Sequence, residues 1–433
     1  MGEYLLRCVS DGSVQPVHSL SCSHDNSLLR ADYRARQIEP KSLPGIWRFL
    51  DWLPVNGIIA EAEGAPVTYR SRGLARELGL VNLYISFNGY WPERGAKMPT
   101  CSFKDLEAAP TMQMMAERKD RPTLVVASAG NTARAFAQVA SLTGQPLVLF
   151  VPEKSLARMW ITLPAGTRTG AGADRGADRG TDRGTGISQV TLIAVQGDYY
   201  DAIQMAEKVQ SLPGFAAEGG ARNIARRDGM GTVMLDAALA QKRMPEHYFQ
   251  AVGSGTGGIS AWEAALRLRA DGRYGSLLPR LHLAQNIPNA PIYYAWTGKE
   301  PAPLSSGMFD DVLFNRKPPY AIPGGVKDAL QETRGEVYGI TDSQAAAAKK
   351  LFESSEEIDI LNAPAIAVAA LQQAAEGGAV QPKDVILLNI TGGGVARIKE
   401  EHPLHMLKPS ITVSHWEQAV SAISSVSAIS GGQ

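Results

Sequence analysis

The chain has 433 residues, 44% hydrophobic and 20% charged, enough to bury a large core divided between two domains. Lysine and arginine total 43, as do aspartate and glutamate, so no net field favours nucleic acid or an anionic membrane. No apolar run is long enough to span a bilayer, and the three cysteines cannot all pair. The opening Met1-Gly2-Glu3-Tyr4-Leu5-Leu6-Arg7 has no apolar signal core, and Leu6 stands where myristoylation wants Ser or Thr. We expect a cytoplasmic enzyme acting on small molecules, homo-oligomeric, with neither nucleic-acid nor membrane partners.

Residues 1–60 read as an N-terminal extension packing on the main body. Cys8, Cys22 and His24, with His18 nearby, include no paired Cys-x-x-Cys, so no metal is expected there. Gly45-Ile46-Trp47-Arg48-Phe49-Leu50-Asp51-Trp52-Leu53-Pro54 is the extension's best-defined stretch. From about residue 61, strand-like runs alternate with helical patterns, which predicts an α/β fold with mostly parallel sheets. The predicted strands are Thr123–Val126, Pro146–Val151, Thr191–Val195, Tyr248–Val252, Arg280–Ala284 and Val385–Leu388. Their continuous apolar character suits strands buried on both faces. Between two of them, Thr167–Gly186 carries an Asp-Arg-Gly near-repeat. Apart from alanine it has no apolar side chain, so it is read as a mobile surface insertion.

Four segments carry chemistry. Ser102-Phe103-Lys104-Asp105 holds a lysine in a short turn, and a lysine amine forms a Schiff base with an aldehyde cofactor. Ala127-Ser128-Ala129-Gly130-Asn131-Thr132 follows a predicted strand and opens the helix-like stretch from Ala133 to Leu142. Such a loop offers free N–H groups to an anion. Gly253-Ser254-Gly255-Thr256-Gly257-Gly258 follows a second strand, and its glycines let backbone amides approach a phosphate. Asn389-Ile390-Thr391-Gly392-Gly393-Gly394 follows a third, with a hydroxyl suited to a ring nitrogen. Each loop ends a strand, where ligands of open α/β sheets sit. A lysine imine plus an anion cradle points to pyridoxal phosphate. The Gly253–Gly258 run also satisfies G-x-G-x-x-G, which leaves open a nicotinamide-dependent oxidoreductase. That fingerprint wants an acid at the end of the next strand, but Arg280–Ala284 runs into Gln285-Asn286, and Asp271 precedes the strand. Cys101 has no accompanying His or acid and reads as a packing residue.

Together the four segments resemble the β-family (fold type II) of pyridoxal-phosphate enzymes, the tryptophan synthase β-like fold with two doubly wound domains. Residues 61–105 and 245–433 are expected to form the larger, cofactor-binding domain and 106–244 a smaller mobile one. The resemblance implies that Lys104 is the Schiff-base lysine and the general acid and base. It gives Asn131 to the cofactor's ring oxygen, the loop with Ser128, Ala129 and Thr132 to the substrate carboxylate, and Gly253, Ser254, Gly255, Thr256 and Gly257 to the phosphate. Thr391 becomes the neutral ring-nitrogen partner. Length, the N-terminal extension and Gly197-Asp198-Tyr199-Tyr200-Asp201-Ala202 are similar to threonine synthases. Pro99-Thr100-Cys101-Ser102-Phe103-Lys104-Asp105-Leu106-Glu107-Ala108, after Phe87-Asn88-Gly89-Tyr90-Trp91-Pro92-Glu93-Arg94-Gly95-Ala96-Lys97, looks more like the cysteate synthases, their relatives in methanogen coenzyme M biosynthesis. That likeness implies a β-replacement turning O-phospho-L-serine and sulfite into L-cysteate and phosphate. Arg94 and Lys97 are candidates for attracting sulfite or the leaving phosphate. Threonine synthase itself, with phosphohomoserine and water, is the alternative, and a non-catalytic cofactor-binding relative a further one.

Overall fold

The computed structural model describes residues 4–162, 186–301, 303, 307–421 and 423, so the Asp-Arg-Gly repeat lies outside the described residues. The chain divides into two compact units: Met1–Glu117 with Glu218–Ile398, and Arg118–Ala217 with Lys399–Gln433. No helix among the described residues is long and apolar enough to cross a membrane.

The first unit is built on a six-stranded sheet in the order Glu336–Ile340, Arg280–Asn286, His247–Ala251, Val385–Ile390, Asn82–Phe87, Val67–Arg70. Every neighbouring pair is parallel except the last, where Val67–Arg70 runs antiparallel at the edge. Val385–Ile390 is buried along its whole length, as its Val-Ile-Leu-Leu run requires of a strand covered on both faces. One cover is the helix Asn362–Glu376, buried on nearly all sides, with Ala363, Ala365, Ala367, Ala369, Ala370 and Ala374 among its buried residues. Side chains this small let its backbone come close to the sheet, and Ile366, Val368 and Leu371 fill the remaining space beside Phe249 and Leu388. A three-stranded antiparallel sheet, Val14–Gln15, Tyr4–Cys8 and Leu29–Tyr33, belongs to the same unit. Tyr33 anchors it by donating its hydroxyl to buried Asp228 at 2.5 Å.

The second unit carries a five-stranded, all-parallel sheet in the order Phe215–Ala217, Thr123–Ala127, Leu147–Pro152, Val190–Val195, Ile411–Val413. Trp160–Thr162 pairs separately with Leu404–Met406.

The boundaries differ from those expected at 105/106 and 244/245. The helix Asp105–Ala116 stays in the first unit because it packs on Ile224–Gln241. A Cβ on Gly229 would lie 1.9 Å from the Leu106 carbonyl oxygen, so only glycine permits this crossing. Pro110 has no N–H to offer that oxygen, which leaves the carbonyl turned toward the neighbouring helix. At the other end, residues after Ile398 leave the first unit and supply strands to the second.

Candidate active site

Lys104 caps the amino end of the helix Asp105–Ala116. The turn before it is held from within: the Asp105 carboxylate accepts from the Thr100 hydroxyl at 2.6 Å and the Thr100 N–H at 3.2 Å. It is also held by the Thr391 loop. The Phe103 N–H donates to the Thr391 carbonyl at 3.1 Å, the Gly393 N–H donates to the Cys101 carbonyl at 3.1 Å, and Ser102 forms a bridge with Gly392. Gly394 closes the assembly at φ +77°, where a Cβ would fall 1.8 Å from the Tyr90 carbonyl oxygen. Cys101 lies fully buried in this contact, as the packing reading expects.

The glycine run and the Thr391 loop leave the carboxyl ends of adjacent parallel strands, His247–Ala251 and Val385–Ile390. A buried polar network underlies both. Asn88 donates to Asn389 at 2.8 Å, Asn389 donates to the Tyr248 hydroxyl at 2.8 Å, and Tyr248 donates to Gln250 at 2.6 Å. Gln250 in turn packs under Gly257, where a Cβ would meet its amide nitrogen at 2.0 Å. The run opens the sixteen-residue helix Thr256–Asp271, whose first-turn N–H groups have no intrahelical acceptor. At its mouth the Ser254 and Thr256 hydroxyls share a 2.7 Å hydrogen bond.

Sequence reasoning missed the surroundings of Lys104. Its side chain is 20% exposed, and its Nζ lies 3.2 Å from Oε2 of Glu107, whose side chain is completely buried. The same carboxylate oxygen is 2.9 Å from Nε of Arg226, and Arg226 Nη1 reaches Oε1 of Glu218 at 2.8 Å. Arg226 is aimed by the helix crossing at Gly229 and by Asn223, which caps that helix and donates to the Glu218 carbonyl at 2.6 Å. Burial pulls the Lys104 amine below the ordinary lysine range; Glu107 opposes the shift and Arg226 adds to it. The available signal was the i,i+3 spacing of Lys104 and Glu107 on one helix, a pattern equally common on solvated faces.

Arg94 and Lys97 are both exposed. They lie on a hairpin, Tyr90–Trp91 with Ala96–Lys97, that docks on the Thr391 loop through the Tyr90 N–H and the Gly393 carbonyl at 3.0 Å. The Arg94 guanidinium lies over the rings of Tyr69 and Trp91, at 4.1 and 4.5 Å.

In the second unit, Asn131 begins the helix Asn131–Thr143, and its side-chain oxygen accepts from Arg134 at 3.1 Å. Ser128 Oγ accepts from the Gly130 N–H at 3.1 Å, while Ala129 and Thr132 are buried. The Arg158 guanidinium donates to the Ala129 carbonyl at 3.3 Å, so two arginines border this loop.

These groups fit pyridoxal phosphate. The first unit supplies an amine whose neutral form burial favours, the N-terminus of a sixteen-residue helix for a phosphate, and a threonine loop bonded to the lysine turn. Residues 90–392 match the family model described as pyridoxal-phosphate dependent enzyme. The chain belongs to this family. Its cofactor is pyridoxal phosphate, and its fold is that of the type II enzymes. Maize serine racemase superposes with a TM-score of 0.55 at 15% identity, covering 77% of this chain and 90% of its own. A pyridoxal 5'-phosphate-dependent aspartate racemase gives 0.53, again at 15% identity, over 76% and 90%. Among curated relatives, the cysteate synthase of Methanothrix thermoacetophila is 55% identical over 98% of this chain and all of its own length. That of Methanococcoides burtonii is 54% identical over 96% and 94%, and that of Methanosarcina mazei 48% over 96% and 98%.

Family membership removes the dinucleotide alternative, and the fold shows why its acid was missing. The Asp271 carboxylate is used elsewhere, accepting from the Ile38 N–H at 2.7 Å and from Arg273 Nε at 2.6 Å.

Proposed function

We propose that this chain is a cysteate synthase, replacing the phosphate of O-phospho-L-serine with sulfite to give L-cysteate, in the service of coenzyme M formation. The near-full-length identity to cysteate synthases carries this reading. Bound pyridoxal phosphate supplies the electron sink that stabilises negative charge at the substrate Cα. The protein contributes proton transfer and position. Lys104, whose neutral form burial favours, takes the proton from Cα; phosphate departs from Cβ with the C–O electron pair. Sulfite brings its own electron pair to Cβ through sulfur, and Lys104 returns the proton to Cα, so atoms and charge balance. While Lys104 holds that proton it is an ammonium, and Glu107 at 3.2 Å compensates it. Arg226, itself paired with Glu218, holds that carboxylate in place.

In this proposal Gly253, Ser254, Gly255, Thr256 and Gly257 hold the cofactor phosphate and Thr391 faces its ring nitrogen. Asn131 meets the ring oxygen, and Ser128, Ala129 and Thr132 take the substrate carboxylate. Arg94 and Lys97 add positive charge that favours arrival of anions.

The test is phosphate release by the cofactor-loaded enzyme from O-phosphoserine and from O-phosphohomoserine, each with and without sulfite. Sulfite-dependent release from phosphoserine, with cysteate appearing, is the expected result. Release from phosphohomoserine alone, with threonine as product, would replace the proposal by threonine synthase.

A further inference from the structure

Two short turns in the N-terminal sheet share one construction. Cys8-Val9-Ser10-Asp11-Gly12 and Cys22-Ser23-His24-Asp25-Asn26 each read Cys-x-x-Asp followed by a residue in the left-handed region, Gly12 at φ +72° and Asn26 at φ +66°. In each, the N–H two residues on points at the cysteine sulfur: Ser10 to Cys8 Sγ at 3.4 Å, and His24 to Cys22 Sγ at 3.5 Å. In each, the N–H four residues on closes the turn on the cysteine carbonyl, from Gly12 and from Asn26, both at 3.0 Å. The turns face one another. Donor atoms of Cys8, Asp11 and Cys22 all lie within 4.8 Å of one another, and Asp25 Oδ1 is 3.8 Å from Cys8 Sγ.

We propose that Cys8, Asp11, Cys22 and Asp25 form a structural zinc site, a pair of turns in which a carboxylate takes the place of each second thiolate. Zinc at about 2.3 Å from sulfur and about 2.0 Å from oxygen sets tetrahedral edges of about 3.3–3.8 Å. The 3.8 Å between Asp25 and Cys8 is already of that order, and the donors of Cys8, Asp11 and Cys22, within 4.8 Å of one another, would draw in by up to about 1 Å. Both thiols are buried and both carboxylates exposed, so the ion would have an entry path from solvent. The carboxylates are already oriented. Asp11 accepts from the Ser13 N–H and pairs with His24 Nδ1, both at 2.9 Å; Asp25 accepts from the Ser27 N–H at 3.0 Å and its hydroxyl at 2.6 Å. Such outer bonds fix ligand direction in metal sites. Two thiolates and two carboxylates leave a charge of minus two around a divalent ion. Arginines stand behind both turns, Arg7 donating to the Gly12 carbonyl at 3.4 Å and Arg222 to that of Asn26 at 2.7 Å. A search for cysteine pairs alone passes over this pattern, which is why the sequence led us to expect no metal.

The test uses full-length, cofactor-loaded enzyme, reduced with a phosphine, stripped with chelator and titrated with cobalt(II), then zinc. One cobalt per chain is expected, with sulfur-to-cobalt charge transfer and the long-wavelength bands of tetrahedral cobalt, all bleached by one equivalent of zinc. Cys8→Ser with Cys22→Ser abolishes the signal, while Asp11→Asn and Asp25→Asn each keep the sulfur band but weaken binding by about tenfold or more. Reduced wild-type protein that takes up neither metal at micromolar concentration overturns the site, as does equal uptake by the double serine variant. Unchanged affinity in both Asn variants overturns the four-ligand assignment. Should the serine variant not fold, the wild-type sulfur band and the Asn titrations still decide the matter.

Discussion

Replacing Glu107 by Gln keeps the volume of the side chain and removes its charge. At an effective dielectric of about 20, a carboxylate 3.2 Å from an ammonium gains about 5 kcal/mol of gross attraction, and the 2.9 Å contact with Arg226 gains about as much again. Desolvating a carboxylate this buried offsets most of that, and breaking buried pairs costs about 3–5 kcal/mol. Arg226 keeps Glu218 as a partner, which puts the expected loss near the low end, about 3 kcal/mol. The variant also moves Lys104. Glu107 holds the amine's pKa up against burial, so without it the amine becomes neutral at lower pH. Capture of pyridoxal phosphate by the apoenzyme needs the neutral amine, so its rise with pH shifts toward acid and capture at neutral pH becomes faster. Two measurements check this: urea denaturation of the apoenzyme, and the rate at which cofactor absorption develops across a pH series. A Gln variant with the wild-type denaturation midpoint and an unshifted capture profile would refute the reasoning.

Lys104→Ala should abolish turnover together with the yellow absorption of the bound cofactor; a variant retaining both sinks the assignment of the lysine. Gly394→Ala places a methyl group on the Tyr90 carbonyl and should weaken cofactor binding by about tenfold or more. Gly95→Ala, also at positive φ but with open space around it, should cost only about 1 kcal/mol of stability and leave cofactor binding, followed by titrating the apoenzyme with pyridoxal phosphate, unchanged. His282 is buried between Phe249 and the hydrogen-bonded His247 and Tyr338, and burial holds its pKa well below the ordinary 6.5. The unfolded chain therefore binds a proton that the folded one refuses, so stability is unaffected above about pH 6.5 and falls as the pH drops below it. A His282→Gln protein should lose less stability than wild type between pH 7 and 5 in parallel denaturation series, and an equal loss would rule this out.

The six strands expected from apolar runs are all present, shifted by a residue or two at their ends. Those missed have mixed composition. Asn82–Phe87 reads Asn-Leu-Tyr-Ile-Ser-Phe and lies next to the antiparallel edge strand, while Glu336–Ile340, itself an edge, begins with a glutamate and contains a glycine. Neither makes the continuous run that marks a central parallel strand. The glycine-rich loops were legible as local motifs because small residues follow directly on apolar strands, and the structure places the Gly253–Gly258 and Thr391 loops after adjacent parallel strands, the second of them bonded to the Lys104 turn. Glu107, Arg226 and Glu218 were not, because their meeting depends on one helix crossing made possible by Gly229. The domain boundaries were missed for a similar reason, since a local pattern does not reveal which distant strand will receive the end of the chain.

That exchange of segments has a bearing on how the protein is made. As the chain leaves the ribosome, Asn82–Phe87 has its antiparallel neighbour but waits for Val385–Ile390 on its other side. Val190–Val195 keeps an open edge until Ile411–Val413 arrives. Neither sheet is complete in any contiguous first half of the molecule, and unpaired strand edges recruit other chains. Fragments cut at the middle of the sequence should therefore aggregate rather than fold. A stop placed after residue 410 should do the same to the second unit, although every proposed site residue would still have been translated.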